Sequence, residues 1–252
     1  MRYPYALQLY SVRDHLERNA AETLRRIKEI GFDFVEPAGT AGLLAKEFGS
    51  LLRQNDLRAV SAHIPYTSFV QDLDQVIRDA AELELTFVVM PWLGEEEMPD
   101  FDAWRGAARA LDYAGSRLRQ EGIRLCYHNH EHEFHPINGT SVFQMLLDET
   151  EPENVAIELD AGWATFAGED AAAWIQRLRD RVPLLHIKDL KKTEGGAPLI
   201  TELGRGMVDW DAVLRAGQAT GVEWYIVEQD ESEQDTLVSA AQNFRFMEDK
   251  NR

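Results

Sequence analysis

This sequence has little of what stabilises a secreted protein or inserts a protein into a membrane. Its 252 residues contain one cysteine, Cys126, which excludes a disulfide framework and a thiolate metal cluster. No apolar run approaches the roughly 18 residues that a membrane span requires. The first residues, 1–5, lack the apolar core of a signal peptide. These absences predict a cytoplasmic protein that contacts no membrane.

Basic residues are also scarce. The chain has 26 Lys and Arg against 44 Asp and Glu, which gives a formal net charge of −18. Because such a chain repels phosphates, we expect no nucleic-acid partner. The first apolar run is not followed by the glycine-rich fingerprint of dinucleotide-binding folds. The 44% hydrophobic content is ordinary for a globular protein and argues against a disordered chain.

Short apolar runs alternate with helix-length amphipathic segments from end to end. Eight such strand–helix units predict parallel strands with right-handed crossovers, an α/β fold. Eight units in about 250 residues fit a closed (β/α)8 TIM barrel, here a single domain over residues 1–252. An open doubly wound sheet is the alternative, which the missing fingerprint weakens. The predicted strands are 5–11, 32–37, 58–64, 86–92, 124–130, 155–160, 182–189 and 224–229; the helices are 20–30, 43–54, 69–83, 101–120, 142–150, 171–179, 210–220 and 234–248.

Several predicted strands end in ionisable residues that apolar packing does not explain. In a parallel barrel the carboxyl ends of all strands lie on one face, where active sites form. Two imidazoles and two carboxylates, one from each of the last four strands, can surround a divalent ion. Such N and O ligands suit Mn²⁺, Zn²⁺, Co²⁺ or Fe²⁺ and suit Ca²⁺ poorly. The predicted ligands are His128, Asp160, His186 and Glu228.

Each of these residues also has a purely structural interpretation. A single histidine on a strand is commonly a hydrogen-bonded core residue. Asp160 can cap the following loop, and Glu228 can form a buried ion pair with Lys188. These interpretations would have to hold together at equivalent places on successive strands. Since ionisable groups are rarely buried without a partner, a functional site is the favoured interpretation.

Over its whole length the chain resembles the sugar phosphate isomerase/epimerase family of the xylose isomerase-like TIM barrel superfamily. That superfamily usually binds one divalent ion through a Glu, an Asp, a His and a Glu on strands five to eight. Asp160, His186 and Glu228 match the last three, and His128 stands where the first Glu is usual. The segments that carry the resemblance are 8–14, 31–36, 61–63, 127–130, 158–160, 185–189, 204–206 and 227–230.

The resemblance implies an isomerase or epimerase acting on a sugar or keto-sugar. Proton abstraction next to a metal-bound carbonyl would form an ene-diolate, with Mn²⁺ the favoured ion and Zn²⁺, Co²⁺, Fe²⁺ or Mg²⁺ the others. Glu228 is the expected base, Lys188 the group that stabilises oxyanion charge, and His63 a second acid–base candidate. The residues predicted to contact the substrate are Glu36, His63, His130, Glu133, Trp163 and Arg205.

Other outcomes stay open at this point. The His128 departure leaves room for a dehydratase or lyase that eliminates from an inosose or a 3-keto-glycoside. A non-catalytic sugar-binding barrel is a further alternative. The branch of the superfamily that acts on apurinic DNA uses a three-metal cluster. Many relatives have a histidine three residues after the strand-six aspartate, and this chain has Trp163 at that position. Relatives commonly pair, so a homodimer is compatible with the resemblance.

Overall fold

The computed structural model describes residues 3–94, 98, 100–137 and 139–252. Eight parallel strands pair in the order β3-β2-β1-β8-β7-β6-β5-β4. Bridges from His63 to Ala38 and Val89 join the two ends of this order, so the sheet closes into a (β/α)8 barrel, as predicted. The strands are β1 (Tyr5–Gln8), β2 (Phe34–Glu36), β3 (Arg58–Ala59), β4 (Phe87–Met90), β5 (Arg124–His128), β6 (Val155–Asp160), β7 (Leu184–Ile187) and β8 (Trp224–Val227).

Helices cover the outside of the barrel, and their apolar residues pack on the outward face of the strands in one large core. Within the described residues, no helix combines the length and apolarity needed to cross a membrane. The helices are α1 (Arg13–Arg18), α2 (Ala20–Ile30), α3 (Ala45–Gln54), α4 (Tyr66–Gln71), α5 (Leu73–Glu82), α6 (Phe101–Gln120), α7 (Val142–Glu149), α8 (Ala161–Phe166), α9 (Ala171–Leu178), α10 (Trp210–Thr220) and α11 (Thr236–Lys250).

Seven of the eight barrel strands are shorter than their predicted ranges, and the first and third lose the most residues at their carboxyl ends. The first ends at Gln8, whose side chain accepts a hydrogen bond from the Tyr10 backbone N–H and turns the chain into a 3₁₀ helix. The third ends at Ala59. Its neighbour β2 runs into Pro37, which has no N–H to donate to a ladder, and pairing resumes only at the His63 bridges. At the mouth of the barrel the chain is therefore a 3₁₀ helix after β1 and a loop after β3, rather than strand.

The interior of the barrel is apolar at depth and polar at its carboxyl end. Small groups of buried apolar side chains fill the lower and middle levels, and one of them contains Cys126. Above them the inward positions are charged or polar. Because the floor is packed, this end is a closed pocket rather than a channel. The apolar members are Phe87, Val89, Cys126, Ala156 and Leu184, with Ala6, Val60 and Ile226.

Candidate functional site

A cavity of about 450 Å³ opens at the carboxyl ends of the strands. Its lining combines imidazoles, one ammonium and two carboxylates with aromatic rings. Trp92 is half exposed at the rim. Residues more than 200 positions apart in the chain therefore share one pocket. The lining residues are Tyr10, Ala38, Gly39, His63, Pro65, Pro91, Trp92, His128, His130, Lys188, Glu228 and Asp230.

The structure brings the four predicted metal ligands together. Ligand atoms of His128, Asp160, His186 and Glu228 all lie within 4.8 Å of one another, and all four residues are buried. Nδ1 of His186 is 2.9 Å from Oε2 of Glu228, and Nε2 of His128 is 3.9 Å from Oδ2 of Asp160. Oδ1 of Asp160 accepts from the Trp163 backbone N–H in the first turn of α8, whereas Oδ2 makes no hydrogen bond and faces Nζ of Lys188 at 3.2 Å as an ion pair. Two imidazoles and two carboxylates that converge in this way have the donor chemistry of a divalent-ion site.

A second layer of ionisable side chains lies among these ligands. Oε2 of Glu158 lies 2.9 Å from Nε2 of His63, and Oε1 of Glu36 lies 3.1 Å from the same nitrogen. Both glutamates are fully buried. Burial lowers the pKa of His63, but the charges of Glu36 and Glu158 outweigh it and raise that pKa to about 10. His63 is therefore held cationic between two carboxylates.

Lys188 lies on the other side of the ligand set, and its side chain is almost fully buried. Its Nζ is 2.8 Å from Oε2 of Glu228, 2.9 Å from Oδ2 of Asp230 and 3.2 Å from Oδ2 of Asp160. Burial lowers the pKa of Lys188, but these three carboxylates outweigh it and raise the pKa well above its usual range. The ammonium is charged, and no carboxylate around it is left without a cation.

Of the other residues predicted to contact the substrate, some line the cavity and some lie outside its lining. His130 lines the cavity, and its Nδ1 is buried without a partner. Glu133 is fully buried, where it accepts from the Tyr127 hydroxyl and the His130 backbone N–H. Trp163 is outside the lining, with its ring 5.3 Å from Nζ of Lys188. Glu36 also faces imidazoles rather than the cavity.

Arg205 is not brought to the site. Its guanidinium is exposed and bonds Glu202 and Gln242. The loop around it is instead fixed from below by Asp189, a buried residue that follows β7. The Asp189 carboxylate accepts from the backbone N–H groups of Leu190, Gly204, Gly206 and Val208 and from Nε1 of Trp210.

Replacing Asp189 with alanine is expected to lower the free energy of unfolding by about 3 kcal/mol or more. Each buried N–H left without an acceptor costs roughly 1–3 kcal/mol, and several lose theirs. Urea unfolding followed by circular dichroism measures the change. Asp211→Ala, which removes an exposed partner of Lys250, is the control and should stay within about 1 kcal/mol of the parent. Equal losses in the two variants would contradict the role given to Asp189.

Two charged residues of the site received no role from the sequence. Glu158 lies two positions before Asp160 on β6, and the alternation of strand side chains places both inside the barrel. That spacing is a signal that could have identified it. Asp230 follows Glu228 by two residues and contacts Lys188, so the same alternation applies.

A lateral cavity of about 330 Å³ adjoins the central one, and the two share Gly39, His63 and Pro65. Its floor is apolar and includes Val76 and Leu83. Its rim carries hydroxyl, amide and carboxylate side chains from α4 and α5. The described lining contains no Lys or Arg. This cavity extends the pocket sideways and carries the carboxylates of Asp72 and Asp79 at its rim.

The family model of the xylose isomerase-like TIM barrel matches residues 24–250. This chain belongs to that family. It is 27% identical to an inosose dehydratase of Lacticaseibacillus casei over 153 residues, which cover 54% of this chain and 51% of the relative. The chain thus spans about half the length of the curated relatives it matches.

Solved structures of the family share the barrel with this chain. A sugar phosphate isomerase/epimerase from Parabacteroides distasonis ATCC 8503 superimposes with a TM-score of 0.84 at 22% identity, over 98% of this chain and 93% of that one. A xylose isomerase-like protein from Mycobacterium smegmatis, in complex with magnesium, gives 0.73 at 19% identity, over 97% and 95%. At these identities the likeness concerns the fold alone.

Proposed function

We propose that this protein is a divalent-metal-dependent lyase that acts on an uncharged, polyhydroxylated ketone. A proton leaves the carbon next to the carbonyl, a C=C bond forms, and the C–O bond one carbon further breaks. The leaving oxygen takes a proton and departs as water or an alcohol. His128, Asp160, His186 and Glu228 would hold the ion, which supplies Lewis-acid polarisation of the carbonyl when bound.

The observation that carries this proposal is the pairing of a base with an acid on one wall of the cavity. Oε2 of Glu228 and Nζ of Lys188 are 2.8 Å apart, and both residues line the cavity. A carboxylate positioned to accept the carbon-bound proton thus lies beside an ammonium able to protonate the departing oxygen. Such an asymmetric pair suits elimination, and His128 removes the second carboxylate that a symmetric proton exchange would use.

The charges around the cavity support an uncharged substrate. Lys188 is the one Lys or Arg in the described cavity lining, and three carboxylates already neutralise it. A phosphate group would meet no free cation there, and the net charge of −18 would repel it. The lateral cavity offers room for a substituent on the ring, as a glycoside carries. The inosose dehydratase relative acts in the same reaction class by its name.

Epimerisation is the second candidate, because acid–base groups also come from the opposite side of the barrel. His63 follows β3, four strands from β7 in the closed order, and it lines the same cavity as Lys188. A group on each face of an enolised carbon is what inversion requires. The sugar phosphate isomerase/epimerase that shares the fold is compatible with this candidate.

One experiment separates the candidates. The chelator-treated protein is reloaded with Mn²⁺ and incubated in D₂O with inososes and 3-keto-glycosides, and NMR follows the products. We expect turnover only in the loaded protein, with an unsaturated product and release of water or aglycone. Deuterium incorporation with an intact skeleton would establish epimerisation instead. An ion-loaded protein that neither exchanges nor converts any of these ketones would contradict the proposed activity.

A further inference from the structure

Two buried glutamates lie behind the histidine ligands, on the side away from the cavity lining. Glu158 belongs to β6 and Glu36 ends β2. Neither lines the central cavity, and both are fully buried. Since burying a carboxylate is costly, such residues are retained only with specific partners. Their partners here are the ring nitrogens of His63, His128 and His186.

His128 is oriented by Glu158. Its Nδ1 is 3.0 Å from Oε2 of Glu158, in hydrogen-bonding geometry. A neutral imidazole carries one N–H and one lone pair, so donation from Nδ1 leaves the lone pair on Nε2. Nε2 is the nitrogen that faces Oδ2 of Asp160, 3.9 Å away. The hydrogen bond therefore aims a free lone pair at the other candidate ligands.

His186 is oriented by Glu36 in the same way but through the other nitrogen. Its Nε2 is 2.9 Å from Oε1 of Glu36, which also accepts from the side-chain amide of Gln8. With Nε2 donating, a bound ion would take the place of the proton on Nδ1, the nitrogen that lies 2.9 Å from Oε2 of Glu228. The two histidines thus turn opposite nitrogens toward one point. Glu158 contacts the outer nitrogen of both, because its Oε2 also lies 3.0 Å from Nε2 of His186, which it shares with Glu36.

We infer that Glu158 and Glu36 are positioning residues, which fix the tautomer and ring orientation of His128 and His186 for the ion. The inference rests on the metal site of the proposed function. His63 connects the two glutamates through Nε2, so the layer acts as one unit. The same layer also has the composition of a second ion site, with three imidazoles and Glu158. The contacts of 2.9–3.0 Å in hydrogen-bonding geometry favour hydrogen bonds over shared coordination.

The chelator-treated 252-residue chain is titrated with Mn²⁺ by calorimetry, and the visible spectrum of the Co²⁺-loaded form is recorded. Glu158→Gln and Glu36→Gln remove the charge but keep the side-chain length. Each is expected to bind one ion with an affinity about 10- to 100-fold lower, the usual cost of losing such a partner, and to change the Co²⁺ bands. Glu133→Gln is the matched control, because Glu133 is equally buried but contacts none of the four ligands. Its affinity and spectrum should match the parent.

The remaining outcomes are distinct. If either folded variant keeps the affinity and spectrum of the parent, the positioning role of that glutamate is wrong, while the ion site stands. Two ions per parent chain, with one lost in Glu158→Gln, would replace the positioning role by a second metal site. A parent chain that binds no ion would overturn the proposed function itself. Because Glu158 and Glu36 test the positioning role separately, a variant that fails to fold leaves the other variant as the test.

Discussion

Replacing Glu228 with glutamine is expected to abolish turnover and to weaken Mn²⁺ binding by more than about 100-fold. Loss of an outer-shell partner typically lowers metal affinity 10- to 100-fold. Because Glu228 is itself a candidate ligand, we expect its replacement to cost more. Its Oε2 also contacts both Nδ1 of His186 and Nζ of Lys188, so no other carboxylate can take its place without moving. Glutamine keeps the shape but removes the charge. Calorimetric titration and the NMR assay together measure both losses.

Asp230→Asn is the control for this variant. Asp230 lines the same cavity and contacts the same ammonium, but it is outside the set of four ligands. We expect it to bind Mn²⁺ with the affinity of the parent. A Glu228→Gln protein that binds one ion as tightly as the parent would show that the ion lies elsewhere.

Replacing Lys188 with methionine is expected to separate turnover from ion binding. Loss of a positioned acid typically costs 10²- to 10⁴-fold in rate, and we expect kcat to fall by about that amount. Binding of Mn²⁺ should stay at least as tight, because the ammonium lies within 3.2 Å of Asp160 and 2.8 Å of Glu228 and competes with the ion for their charge. Kinetics of the Mn²⁺-loaded variant measure the change in kcat, and calorimetry of the chelator-treated variant measures the change in Mn²⁺ affinity.

The same variant also tests how much Lys188 contributes to the stability of the ion-free protein. Without Lys188, three carboxylates at this site lose their shared cation, which is costly for buried groups. The melting temperature of the chelated variant should therefore fall below that of the parent, and saturating Mn²⁺ should restore most of the difference. A variant that loses its ion along with its activity would mean that Lys188 organises the ligands rather than the proton transfer.

The sequence was most informative about the barrel and the four candidate ligands. Apolar runs that end in an ionisable residue mark the strands clearly, and each of β1 to β8 lies inside or within one residue of its predicted range. Because parallel strands end on one face, residues as distant as His128 and Glu228 were predicted to meet, and they do. That they bind an ion stays a prediction.

The sequence was less informative about the layer behind the ligands. Because β6 is buried on both faces, only the two-residue spacing from Asp160 indicates that Glu158 points inward. Its partners His63, His128 and His186 come from other parts of the chain, and the sequence does not indicate those contacts. The placement of Arg205 depends on Asp189, whose backbone partners in the Arg205 loop lie 15–19 residues later along the chain. Short helices such as α4 and α8 begin at the strand-end loops and have too few residues for a recognisable apolar period.

The barrel wall is held together unevenly around its circumference. β5 and β6 pair over four successive positions, whereas β3 pairs with β2 over two and reaches β4 only through the bridges at His63. Local opening of the wall is therefore expected to cost less free energy at this seam than between β5 and β6, where more backbone hydrogen bonds hold the strands. Both cavities border this seam, because His63 lines each of them. A substituent that reached from one cavity into the other would therefore lie against a weakly paired part of the wall, rather than against β5 to β8, which carry the four candidate ligands.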